Sequence, residues 1–180
     1  MKKNVLVFGL ISGLTISLLM SVFMIIGTGC SSDNPNYDLS MLLGYSSMII
    51  SFSFIFVGVK NFRDKYNDGI ISFGKAFKIG ILITLISCTF YVLTWLVLYY
   101  CFMPDFMDKY ADHMLKTVQA SGASQAEIDQ TIAEMAGYKE MYKNPVIVIL
   151  MTYAEVLPVG LVFTLLSALV FKKKVKVSSN

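Results

Sequence analysis

Four apolar runs, Val5–Thr28, Leu39–Val59, Ile79–Phe102 and Val146–Phe171, are each long enough to cross a bilayer as a helix. No other feature restricts the fold of this chain so tightly. A hydrocarbon core takes roughly 20 helical residues to span. Inside it every backbone N–H and C=O must be satisfied, so a spanning segment is a helix or part of a closed barrel. Barrel strands run to about 10 residues of strict alternation, a pattern these runs lack. A soluble bundle would carry a polar stripe on each helix, and these carry none. The composition agrees, with 56% hydrophobic residues and a mean hydropathy of +0.65. The expectation is an all-α integral membrane protein forming a single polytopic domain.

Charge is sorted along the chain rather than in excess, for the net charge is only +3. That balance gives no support to a nucleic-acid partner. Lys2 and Lys3, then Lys60, Arg63, Lys65, Lys75 and Lys78, then Lys172, Lys173, Lys174 and Lys176 occupy alternate connections and hold eleven of the fifteen basic residues. Gly29–Asp38 holds none, and Met103–Asn144 holds four lysines against seven acids. Retention of Lys and Arg on the cytoplasmic side predicts both termini inside. The Lys172–Lys176 cluster suits anionic lipid headgroups. The beginning of the chain, through Gly27-Thr-Gly-Cys30, resembles a lipoprotein leader. Its apolar run exceeds the 7–15 residues of a typical leader core, and Gly27 stands where such a site usually has Leu. An uncleaved first helix is therefore expected, and lipidation at Cys30 stays open.

Small residues mark packing faces. Gly9-Leu-Ile-Ser-Gly13 is a GxxxG sequence that lets another backbone approach closely. Packing within the chain and homodimerisation both use such a motif. In the second run Ser40, Gly44, Ser47, Ser51 and Gly58 fall within about 60° of one another, backed by Tyr45, Ile49, Phe52 and Phe56. The loop that follows holds the turn signal Asn67-Asp68-Gly69. Next comes a segment with Ile71, Phe73, Phe77, Lys75 and Lys78, suited to the membrane interface. Residues 103–144 read as a helical hairpin, broken at Ser121-Gly122, with Ser124-Gln-Ala-Glu127 matching a capping box. Such a hairpin packs on itself, on the membrane surface or on a partner.

The stretches Met41–Ile50, Val57–Tyr66 and Ile71–Gly80 resemble domain-of-unknown-function family 4199, small bacterial membrane proteins with four helices. The resemblance implies membrane location and architecture. It brings no assigned activity and no functional residues.

Glu155 is the one formal charge inside the four runs. A carboxyl near a bilayer centre costs about 2.5–3.5 kcal/mol on insertion scales, so it usually has a purpose. No Lys or Arg shares its depth, and the acid is expected in its neutral, hydrogen-bond-donating form. Gly80, Thr84, Ser87, Tyr91 and Thr94 share a face of the third run. This predicts an intramembrane polar site of Glu155 with Tyr91 or Thr94, and with Ser87 nearby. Such a site serves as interhelical glue or, with a water path, as a proton or ion site. Cys30 and Cys101 both fall near the outer interface, a placement compatible with a disulfide. His113 with Asp105, Asp108 and Asp112 lacks a second strong nitrogen or sulfur ligand, so no metal or other cofactor is expected. No catalytic triad order, HExxH, CxxC or Walker loop occurs. The sequence thus reads as a non-enzymatic interaction or accessory component of the bacterial inner membrane, with a small Glu155-dependent transporter as the alternative.

Overall fold

A computed structural model describes residues 1–28 and 37–173. It is all-helical: α1 (Lys2–Thr28), α2 (Tyr37–Tyr66), α3 (Phe73–Val97), α4 (Phe106–Ala120), α5 (Gln125–Tyr142) and α6 (Pro145–Phe171), with a π-helical turn at Leu98–Phe102. The segments Lys2–Met24, Leu39–Tyr66, Phe73–Phe102 and Pro145–Phe171 are long and apolar enough to cross a membrane. Two elements run past the apolar stretches. α2 continues through the charged residues 60–66, and α3 begins at Phe73, inside the interfacial segment. Lys and Arg are good helix formers, so loss of hydrophobicity does not end a helix.

What ends α2 is a left-handed turn. Asp68 has φ 50° and Gly69 has φ 73°, and the Gly69 N–H donates to the Arg63 carbonyl at 2.9 Å. This bond spans six residues and ties the left-handed turn back onto the last turns of α2.

Where the sequence suggests one domain, the chain divides into two compact units, Met1–Thr94 with Tyr153–Asn180, and Trp95–Thr152. In the first unit, contacts set the direction of each helix. Asn4 donates to Asn61 at 3.1 Å and Ser12 to the Ser51 carbonyl at 2.7 Å, so α1 and α2 run antiparallel. Gly9 faces Ile86 and Gly13 faces Phe90, so α1 and α3 run parallel. α3 and α6 are antiparallel, since Gly80 meets Thr164 and Thr89 meets Tyr153. Phe52 packs on Phe163, and Phe56 on Phe163 and Phe171. The helices therefore alternate in direction, with Phe52, Ile55, Val59, Ile79, Ile83 and Val156 in the core.

The second unit is smaller. α4 packs against α5, burying Met107, Ala111 and Met135. The chain reverses at Gly122, whose φ of 76° suits glycine. An aromatic cluster surrounds Tyr99, with ring centroids 6.0 Å to Trp95, 4.9 Å to Tyr100 and 5.2 Å to Tyr142.

Candidate functional site

Among the described residues, the buried polar side chains are Asn4 and a set of serines and threonines, with no charge among them. Two of them, Thr84 and Thr164, meet between α3 and α6. Thr84 and Thr164 share a hydrogen bond at 2.8 Å, and Thr84 also donates to the Gly160 carbonyl at 3.3 Å. A Cβ on Gly80 would lie 3.0 Å from Thr164 Cγ2, and one on Gly160 would run into Thr84 Cγ2. The two helices thus meet through the same glycine-to-threonine spacing of four, Gly80-Ile-Leu-Ile-Thr84 against Gly160-Leu-Val-Phe-Thr164. Each glycine admits the other helix's threonine.

The opposite side of α3 receives α1. A Cβ added at Gly9 would fall 2.7 Å from Ile86, and one at Gly13 would fall 2.7 Å from Phe90. One turn on, Thr94 donates to Ser17 Oγ at 2.7 Å. The GxxxG sequence is therefore occupied within the chain. On α2, Ser47 and Ser51 are buried. Ser47 donates to its own helix at the Gly44 carbonyl, 2.6 Å away. Gly44 itself has nothing within 4 Å of an added Cβ and so makes no close helix approach.

Glu155 is placed otherwise than its expected pairing requires. Tyr91 and Ser87 are buried, Ser87 bonds its own helix at Ile83 O, 3.0 Å away, and Thr94 is committed to Ser17. Glu155 is exposed, as are Ala154 and Pro158 beside it. No hydrogen bond or ion pair to its carboxyl occurs among the described residues. The reason is rotational. Val156, Gly160 and Thr164 are the residues α6 turns inward, and the neighbouring Glu155 lies about 100° around the helix. Gly160 and Thr164 are the residues that sequence reasoning missed. The signal available was their spacing, identical to that of Gly80 and Thr84.

The outward flank holds a second unsatisfied group. Pro158 sits inside α6 and lacks the N–H that the Ala154 carbonyl would otherwise accept from. A carboxyl and a freed carbonyl thus lie side by side on an exposed surface that includes Val162 (52% exposed) and Leu166 (47%). Glu155 precedes the helix midpoint, Pro158, by three residues, about 4.5 Å along the axis.

One end of the first unit gathers basic side chains. Ile71 and Lys173 exchange backbone hydrogen bonds of 3.2 and 2.8 Å, which brings the α2–α3 loop to the residues following α6. The Arg63 guanidinium lies 5.3 Å from the Phe171 ring centroid and the Lys75 ammonium 5.2 Å from that of Phe62. Asn67 donates to the Ile70 carbonyl and accepts from Lys75. The Asn4–Asn61 contact sets Lys2 and Lys3 at the same end. Lys174 and Lys176 lie outside the described residues, as does Cys30, so the proposed Cys30–Cys101 pair falls there too; Cys101 is exposed.

In the hairpin unit two acids of the Asp105–Asp112 group pair with lysines. Asp105 pairs with Lys109 at 2.9 Å and Asp108 with Lys139 at 2.7 Å. The Lys109 ammonium holds the Asp105 carboxyl below its usual range. Ser124 caps α5: its N–H and hydroxyl donate to Glu127 Oε2 at 2.8 and 2.9 Å, while the Glu127 N–H returns to Ser124 Oγ at 3.4 Å. The Ser124 backbone N–H, then its hydroxyl, hold the Glu127 carboxyl below the ordinary value.

Four apolar helices closing around a hydroxyl-lined interior define a multi-pass α-helical membrane protein. The chain belongs to the family described as protein of unknown function (DUF4199), whose model matches residues 7–173. No curated protein and no solved structure matches it.

Proposed function

We propose that this protein is a non-enzymatic component of the bacterial inner membrane that works by lateral association, using the outward flank of α6. The observation carrying this reading is that Glu155 has no partner among the described residues and faces away from the bundle. An acid in hydrocarbon is costly unless it is paired or reaches water, and a neighbouring membrane helix supplies such a pair. Transport of a proton or ion through the bundle would draw on interior charged groups, and among the described residues the buried polar set holds no carboxylate, lysine or arginine.

The Lys2–Lys3 and Lys172–Lys176 ends and the α2–α3 loop face the cytoplasm in this reading, where retained Lys and Arg are found. The clustering of Lys75, Arg63 and Lys173 at one end of the helices agrees with that orientation. There the lysines meet anionic lipid.

The test is a photo-reactive benzophenone amino acid at Val162, irradiated in native membranes. A covalent adduct to protein is expected. Adducts to lipid alone would overturn the reading.

A further inference from the structure

We propose that a second copy of this chain docks on the outward flank of α6, the two Glu155 carboxylic acids pairing across a two-fold axis. The inference rests on the interaction reading above and names its partner. A neutral carboxylic acid has one donor and one acceptor, so it is complementary to another of its kind. The chain's other spans offer no cation at that depth, because Glu155 is the one charge inside the apolar runs. An ion pair within a homodimer is thereby ruled out, whereas an acid pair is not.

Symmetry removes the remaining requirement. Copies inserted in the same orientation carry Glu155 at the same depth with α6 running the same way. Rotation about the membrane normal alone brings the two acids together, in the isologous contact of a cyclic dimer. The surroundings are self-complementary as well, with Val162 and Leu166 about two and three turns along the same flank. The carbonyl of Ala154, freed by Pro158, lies beside the pair. The GxxxG face of α1 is already filled by Ile86 and Phe90, whereas the outward flank of α6 carries an acid with no partner among the described residues.

The experiment is single-molecule photobleaching of the full chain in liposomes at graded protein-to-lipid ratios, joined to oxidative crosslinking of single cysteines in a background lacking Cys30, Cys88 and Cys101. Wild type should dimerise, and Glu155→Gln, which keeps a donor and an acceptor, should do so within about twofold. Glu155→Leu should associate about tenfold more weakly. Position 155 lies outside the packed core of its own chain, so the variant folds. A cysteine replacing Val162 should crosslink, and one replacing Leu18, exposed on α1, should not. A monomer at every density, undiminished association of Glu155→Leu, or crosslinking from position 18 alone would overturn the proposal. A monomer in liposomes together with a foreign-protein adduct at Val162 overturns self-pairing and leaves the interaction reading standing. Lipid-only adducts overturn both.

Discussion

The hydroxyls of Thr84 and Thr164 lie 2.8 Å apart where α3 and α6 each present a glycine to the other's threonine. Association in lipid gains little from hydrophobicity and depends on close packing with interhelical hydrogen bonds. This contact supplies both at one place.

Gly160→Ala should therefore lower stability by about 1–3 kcal/mol, the usual cost of forcing a methyl into a packed core. Gly44→Ala, with open space at its Cβ, should be neutral or slightly stabilising. Thermal unfolding in detergent followed by far-ultraviolet circular dichroism separates the two. Thr84→Ser removes the methyl in the way of the new Cβ, so it should restore part of the loss in the double variant. Equal melting of the two alanine variants would show that the contact is looser than described.

Asp68 occupies the left-handed position that closes α2, at φ 50°, where glycine is the favoured residue. Asp68→Gly should raise stability by about 0.5–1 kcal/mol, the scale of the steric cost removed. Gly69→Ala, at φ 73°, should lower it by a similar amount. The same melting experiment reads both signs.

The cap of α5 gives a pH dependence. The folded Glu127 carboxyl is held below its ordinary value of 4.5 by the Ser124 N–H. A carboxyl with a depressed folded value contributes stability that is present above the ordinary value and lost as pH falls through the folded one. Exchange protection of the first-turn amides of α5, corrected for intrinsic rates, should hold down to about pH 4.5 and decline below it. Glu127→Gln should flatten this response. A decline that persists in that variant would place its origin elsewhere.

Orientation can be read with an impermeant thiol reagent on intact cells, in the cysteine-free background. A cysteine replacing Asp68 should react only after permeabilisation, and one replacing Ser121, at the α4–α5 turn, should react at once. The reverse pattern would invert the topology.

The spans and the capping box were legible because each depends on residues near in sequence. Apolar length decides the first, and the Ser124–Glu127 spacing the second. The rotation of α6 was not legible in the same way. Tyr91 and Thr94 share the inward face of α3, but which face of α6 meets them depends on Gly160 and Thr164 fitting Thr84 and Gly80, some eighty residues away. A shift of one residue on α6 turns Glu155 outward, and only the packed pair decides it. The π-helical turn at Leu98–Phe102 was hidden for a related reason, since its residue Tyr99 packs among Trp95, Tyr142 and Phe106.

The parallel contact of α1 with α3 also has a consequence in time. Gly9 and Gly13 are covered by Ile86 and Phe90, not by the helix that follows α1 directly. During synthesis that glycine face waits from the exit of Thr28 until Thr94 has entered the bilayer, a delay of roughly 3–13 seconds at ordinary elongation rates. For that interval the face is open to any neighbouring helix. A chaperone or insertase that shields it then would protect the fold during the only period in which its own partner has not yet been made.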